Sequence, residues 1–414
     1  MRPMGRLSVV DEIFLRTHRG LGTPIALQGL WRTADRIDPE LLRGVHAALR
    51  TGPLGRRVIR PRVPGARRGW QPNTRAHPLV LTEQPLAVSA LLEWADAQGT
   101  DLDPEFGSGW RLSAVALDDG GSLVSLTCSH ALADGRALVH AVDDALGGAA
   151  LTASAAAESE WADARRQWSI VLRGTGRALR KGIPERPHHQ PVSDTRIPPG
   201  TQTPGAIFQC AVSDWERAAT ARDGTANSLF IALVANMLWA SGFPRETIDA
   251  SLPVDTRDEP RVDNDLAMTD ITIDRADTPA TIREKSRAAY ERRMTSPGRM
   301  PEELLQVIPD PWAYALSKGA GERDILCSNI GTLPTSLRML GPHRCLGVAA
   351  RAIHPGLTAA QWPRTRLSGY LCRIADDYNL SLVGLDPTHI ESATALADLG
   401  QQTLSSFGLS AHRW

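Results

Sequence analysis

Ser129-His130-Ala131-Leu132-Ala133-Asp134-Gly135 is the stretch on which the reading of this chain turns. Ahead of it, Ser122–Cys128 alternates: Val124, Leu126 and Cys128 fall on one face, and Leu123, Ser125 and Thr127 on the other. That period of two marks a strand. The turn signal Asp118-Asp119-Gly120-Gly121 joins it to a second strand-like run, Arg111–Leu117, so the pair reads as a hairpin. Behind it, Leu138, Val139, Val142, Ala145 and Leu146 recur at helical spacing. His130 therefore stands on a loop that leaves a strand and enters a helix. A neutral imidazole, with an ordinary pKa of about 6.5, can take a proton from a nucleophile and give it back. Asp134 sits where such a helix would place its N-cap. Gly135 allows a tight turn or a close backbone approach.

Further out, the second half alternates in the same manner. Strands are expected near Ala206–Val212 and Thr269–Ile273, and helices near Leu229–Ala240 and Thr281–Met294. A hairpin is expected from Leu367–Ile374 and Tyr378–Leu385, with a last helix after Pro387. Between the halves, Gly147–Ala155 is small and flexible in composition, and Trp161–Lys181 reads as a basic helix. Glu185–Pro204 is Pro-, Ser- and Thr-rich, the composition of a linker. The organisation is thus residues 1–155, a connecting region 156–204, and residues 205–414. His188-His189 lies in the linker without a set of acidic or cysteine partners, so a metal site is not expected there.

Composition narrows the function classes. A chain of 414 residues exceeds one ordinary core, and two domains follow. Lys+Arg and Asp+Glu are both 46, which argues against a general nucleic-acid binder. Only three of the basic residues are lysine; with abundant Ala, Gly and Pro this suggests a GC-rich, bacterial genome. The five cysteines are scattered, never Cys-x-x-Cys, so neither a disulfide framework nor a zinc site is expected and a reducing compartment fits. Met1–Gly20 has no apolar core of a signal peptide, and Leu229–Ala240, broken by Asn236, is too short to span a bilayer. A cytoplasmic location is the expectation.

The loop His130-x-x-x-Asp134-Gly135 resembles the His-x-x-x-Asp-Gly motif of the condensation-domain-like, CoA-dependent acyltransferase superfamily. Three further segments agree and stand in the order of that superfamily. Leu7–Leu15 resembles the opening of the bacterial wax ester synthase and polyketide-associated lipid transferase branches. Pro253-Val254-Asp255-Thr256-Arg257 resembles a Pro-Val-x-x-Arg element, and Ser328-Asn329-Ile330-Gly331 a Ser-Asn-x-Gly element. The resemblance runs over nearly the whole chain. It departs at Ser129, where many members carry a first histidine, and in lacking the Asp-Phe-Gly-Trp-Gly motif of the plant branch.

The resemblance implies an α/β fold of two chloramphenicol-acetyltransferase-like halves, each a mixed sheet flanked by helices, with an active-site tunnel between them. It implies acyl transfer from a CoA or carrier-protein thioester to a hydroxyl of a lipid or secondary metabolite, with His130 as general base. Asp134 would turn from the substrate and pair with an arginine, Arg257 being the candidate; the plain alternative is the N-cap. Ser129, Ser328 and Asn329 are candidates for oxyanion or substrate contacts, a turn at a strand end being the alternative for the last two. No metal or redox cofactor is implied, because the thioester is already activated. The partners would be the thioester donor, including an acyl carrier protein, and a hydroxyl or amine acceptor; a monomer is expected. The arginines Arg56, Arg57, Arg60, Arg62, Arg67 and Arg68 read as a solvated loop, or as a contact for CoA phosphate or an acidic carrier. The basic helix, with Trp161 and Trp168 seven residues apart, reads as a docking helix, with peripheral membrane contact as the alternative. Two other functions share these features: a stand-alone condensation enzyme forming an amide, and a non-catalytic carrier-binding scaffold with a decayed site.

Overall fold

Alternation at period two becomes sheet in both halves, and the helical stripes close over it. The computed structural model describes residues 5–147, 158–180, 203–291, 301–319 and 321–414. In chain order the first part holds β1 (Gly5–Arg6), α1 (Val9–His18), β2 (Ala26–Thr33), α2 (Pro39–Thr51), β3 (Arg56–Ile59), β4 (Gly69–Pro72) and β5 (Val80–Leu86). It continues with α3 (Leu91–Asp96), β6 (Trp110–Leu117), β7 (Ser122–Ser129), α4 (Gly135–Ala145) and α5 (Glu160–Arg180). The second part holds β8 (Gly205–Ala211), α6 (Val212–Thr220), α7 (Ala226–Ala240), β9 (Thr247–Asp255), β10 (Leu266–Asp274) and α8 (Pro279–Glu291). After these come α9 (Leu304–Val307), α10 (Asp310–Ser317), β11 (Ile325–Thr332), β12 (Met339–Leu340) and β13 (His343–Ile353). The chain ends with β14 (Leu367–Ile374), β15 (Asp377–Gly384), α11 (Ala393–Ser406) and β16 (His412–Arg413).

Two large mixed sheets carry the fold, a six-stranded one of order β12-β13-β2-β7-β6-β5 and a seven-stranded one of order β10-β9-β11-β14-β15-β8-β16. The β6–β7 hairpin is present as read, and β7 is buried along its whole length. Val124, Leu126 and Cys128 join the core shared with α2 and α4. On the opposite face the hydroxyls of Ser125 and Thr127 each accept from Gln28 Nε2 at 3.0 Å, so two buried polar side chains are satisfied. In the second core α7 is apolar on every side and buried on nearly every side, which is how a helix at the centre of a domain reads. Thr225 starts it with a capping box through Ser228. Among the described residues no helix is long and apolar enough to cross a membrane.

The sheets do not respect the boundary drawn in the 156–204 region. The second half returns β13, an 11-residue strand, to the first-half sheet, where it pairs with β2 from Cys345↔Thr33, across a bulge, to Ile353↔Ala26. Without it β2 would present a long apolar edge with open N–H and C=O groups. Nothing local in the sequence announces this exchange. Helix α5 is also anchored on the first half: the buried Asp163 carboxylate accepts from the Arg67 backbone N–H at 2.8 Å and pairs with its guanidinium. Its outer side leaves Trp161, Trp168 and Leu172 exposed beside Arg165, Arg166 and Arg173. Most of Gly147–Ala155, most of the Glu185–Pro204 linker, and His188-His189 lie outside the described residues.

Candidate active site

His130 follows directly on the last residue of β7, and its backbone N–H points to the Ile25 carbonyl at 3.4 Å, one residue before β2 begins. Its ring stacks on Phe14 of α1, with centroids 3.4 Å apart and planes 11° from parallel. Nδ1 lies 3.1 Å from Asn264 Oδ1. The orientation of that amide is fixed on its other side, because Asn264 Nδ2 donates to Asp11 Oδ1 and to the His130 carbonyl, each at 2.8 Å. A carbonyl can only accept, so the amide oxygen must face the imidazole and Nδ1 must carry the hydrogen. Nε2 is then the nitrogen with the lone pair. Burial pushes the His130 pKa down to about 4; bonding to its own backbone, the Asp134 charge and the Asn264 bond pull the other way. The ring is therefore neutral, in proton-accepting form, throughout the neutral pH range. Asp11, the outer end of this chain, is raised to about 6 by burial, against the opposing pull of Arg56.

The Asp134 carboxylate makes both a helix cap and a pair with Arg257. Oδ1 accepts from the Ala137 N–H at 2.9 Å and caps α4. Oδ2 accepts from the Arg257 guanidinium and from the Asp265 N–H at 2.9 Å. Both side chains of the pair are buried. Arg257 is held in turn by Asp255 Oδ1 at 2.7 Å, the Arg261 carbonyl at 3.2 Å and the Asp263 carbonyl. Gly135 is not a left-handed residue; a Cβ there would stand 2.8 Å from Ile330 Cδ1, so close approach is what it provides.

The loop between β9 and β10 thus clamps the histidine loop residue by residue. Asp263 binds Arg56 at 3.0 Å, Asn264 binds His130, and the Asp265 N–H binds Asp134. Arg56 also donates to the Leu132 carbonyl at 2.7 Å and lies 4.1 Å over the Trp70 ring. This corrects the solvated-loop reading for Arg56, Arg67 and Arg68, while Arg60 and Arg62 remain exposed. Arg56 is buried on β3 beneath the histidine loop, Arg67 is paired with Asp163, and Arg68 with Glu12 and Asp310. Those pairings are charge-assisted hydrogen bonds, so these three arginines serve the fold.

His130, Asp134, Gly135 and Ser328 line one cavity of about 2150 Å³, whose walls come from both halves of the chain. The other two candidate contacts do not. Ser129 is buried with its hydroxyl accepting from the Ala131 N–H at 3.4 Å. Asn329 sits within β11, not in a turn after it, and strand parity sends it away from Ser328. Its amide donates to Asn227 at 2.9 Å, and its oxygen accepts from the Gly331 N–H at 2.9 Å beside a bulge.

A second histidine, which the motif reading missed, also lines this cavity. His354 follows the last residue of β13 as His130 follows β7, and Ala26 pairs with both Ile353 and Ser129. His354 Nδ1 donates to the Pro24 carbonyl at 2.9 Å, and its Nε2 is buried with no hydrogen-bond partner among the described residues. Asn264 and Phe14 were missed as well. Phe14 lies in the Leu7–Leu15 segment that carried the resemblance, but nothing there pointed to stacking.

Known structures agree with this architecture over its full length. The first condensation domain of the CDA synthetase matches with a TM-score of 0.62 at 13% identity, covering 100% of this chain and 99% of that one. The fold is the condensation-domain fold. Two further structures share it. Polyketide synthase associated protein 5 from Mycobacterium tuberculosis has a TM-score of 0.59 at 13% identity, covering 98% of this chain and 99% of that one. The wax ester synthase/diacylglycerol acyltransferase from Marinobacter aquaeolei VT8 has a TM-score of 0.57 at 14% identity, covering 97% and 98%. No family model matches the sequence, and no curated protein matches it. The condensation-domain fold and the clamped histidine loop are what the site presents for chemistry.

Proposed function

We propose that this chain is an acyltransferase that moves an acyl group from a CoA or carrier-protein thioester to a hydroxyl, with His130 as general base. The observation that carries this reading is a half-buried imidazole fixed as the Nδ1–H tautomer on a large cavity, its Nε2 without a hydrogen-bond partner among the described residues. The acceptor hydroxyl gives its proton to Nε2 as its oxygen attacks the thioester carbonyl. The tetrahedral intermediate then collapses, the C–S bond breaks, and the thiolate takes the proton back from Nε2. Asn264 steadies the imidazolium that exists between the two transfers, and Asp11 stands behind the amide. A cavity of about 2150 Å³ is roughly twice the upper end of ordinary ligand pockets, room for a donor and an acceptor to meet at the ring. The ester-forming name of the wax ester synthase/diacylglycerol acyltransferase of like fold supports a hydroxyl acceptor over an amine.

The test is incubation with acyl-CoA and acyl-pantetheine panels plus alcohol and amine acceptors, with products read by mass spectrometry and thiol release. Ester formation that disappears in a well-folded His130→Ala protein is the expected result. Amide products alone would move the reading to a condensation enzyme. Equal turnover in the folded variant would remove His130 from the mechanism.

A further inference from the structure

From the level of His130, the cavity extends along one face of the six-stranded sheet. Its floor there is Leu27, Gly29 and Trp31, alternate residues of β2, and their β13 partners Ala352, Ala350 and Val348. None of these side chains carries a charge. Leu138, Leu333 and Leu337 line the same cavity and belong to the same apolar cluster as Trp31. Of the charged cavity residues, Arg351 is on β13 but is buried and bonded to Gln28 and Asp96, while Asp270 on β10 and Lys318, Arg323 and Arg364 lie elsewhere. One end of the space is thus fit for hydrocarbon and another for polar groups.

Trp31 closes the apolar end. A Cβ at Gly29 would meet the Trp31 ring at 2.8 Å, so the indole folds back along β2 toward the histidine, over ground that only glycine leaves open. Beyond it lies a second, apolar void of about 10 Å³, lined by residues including Val45, Leu112, Leu126 and Val142. Among the described residues, Trp31 is the one that lines both spaces.

We infer that Trp31 is the stop that sets how long an acyl chain the enzyme accepts, an inference that rests on the acyl-transfer reading. His130 stands level with Ile25, and the four residues from there to Gly29 span about 13 Å at about 3.3 Å each. A zigzag hydrocarbon with bonds of about 1.5 Å advances about 1.3 Å per carbon, so the limb takes a linear acyl chain of about ten carbons. Replacing the indole opens the two further residues to position 31, and the void behind them, for about five carbons more.

The test is the affinity of S-acyl-pantetheine thioesters of 4 to 16 carbons for the full chain, by calorimetry. In the native protein affinity rises about three- to fourfold per carbon, then stops near ten carbons. In Trp31→Ala the break moves out by about five carbons, and in Trp31→Leu, kept as the gentler change should the alanine variant not fold, by fewer. A native protein whose affinity climbs without a break to 16 carbons overturns the inference. So does a break at the same length in either folded variant, and in that case the acyl-transfer reading stands. Failure of the native protein to bind any chain length, with no ester formed from the same thioesters, would instead remove the acyl-transfer reading and this inference with it.

Discussion

His130 and His354 stand on either side of β2, each one residue past a partner of Ala26, on strands about 10 Å apart by the spacing of a sheet. Both are held as the Nδ1–H tautomer, His130 by an amide oxygen and His354 by the Pro24 carbonyl. Behind that likeness the surroundings diverge. His130 has a stacked Phe14, an amide that reaches the Asp11 carboxylate, and a loop pinned by Asp134, Arg257 and Arg56. His354 has one backbone acceptor and a sealed, unpartnered Nε2. The contrast teaches that setting the tautomer is the easy part. A base that must hold a proton between two transfers also needs groups that tolerate the imidazolium, and a backbone that keeps the ring in place.

The largest effect expected from breaking this contrast is at His130 itself. His130→Ala should lower kcat by about 10²–10⁴-fold while leaving the fold intact. Steady-state kinetics with circular dichroism on the same sample decide it, and a loss smaller than tenfold would make His130 no more of a base than His354.

Asp134→Ala comes next. It removes a helix cap, about 0.5–2 kcal/mol, and takes from the buried Arg257 one of its two carboxylates, about 3–5 kcal/mol for a buried pair. Because Arg257 keeps three other acceptors, the combined loss should fall toward the lower end of the pair range. Asp134→Asn keeps an acceptor for the cap and should lose less. Chemical denaturation of the two variants separates the contributions; equal loss in both would mean the cap contributes nothing and the lost charge accounts for the whole effect.

Asn264 offers a smaller, sharper probe. With His130 held at a pKa of about 4 by burial, the acid limb of kcat/KM should fall near pH 4, well below the ordinary histidine value. The Asn264 bond favours the imidazolium, so Asn264→Ala should move that limb to still lower pH and reduce turnover by up to about tenfold, the worth of one hydrogen bond. A limb near pH 6.5 in the native enzyme would contradict the buried environment, and a limb that moves upward in the variant would reverse the role given to the amide.

What the sequence disclosed follows the range of the interactions involved. The β6–β7 hairpin, the strand-to-helix placement of His130 and the Asp134 cap are local, and periodicity over a few residues reveals them. The Arg257 pair spans 123 positions and was reached only through the resemblance. Asn264, Phe14 and His354 acquire meaning only after β13 lies beside β2 and the β9–β10 loop lies over residues 130–134. Arg56 shows the limit most plainly, since a buried arginine bonded to a carboxylate and a carbonyl has the same letter as a solvated one. Asn329 was misplaced for a subtler reason: one step of strand parity separates it from the cavity side of β11, and motif matching does not count parity.

The smallest effect should come from His354. An imidazole acceptor buried without a partner costs about 1–3 kcal/mol, while its Nδ1 bond to Pro24 returns about 0.5–1.5 kcal/mol. Removing the ring deletes both and leaves a space at the cavity wall, so the contributions largely cancel. His354→Ala should therefore change stability by no more than about 1 kcal/mol and turnover by less than about threefold, since no proton has to pass through Nε2 in the proposed reaction. Paired kinetics on His354→Ala and His130→Ala settle the comparison. If the two variants lose turnover alike, the ring beside β13 shares the chemistry, and the apparatus around His130 is not what distinguishes a base from a bystander. If His354→Ala changes the apparent KM for the acceptor at unchanged kcat, its orphaned nitrogen binds the acceptor hydroxyl, and the asymmetry of the two histidines becomes one of catalysis against recognition.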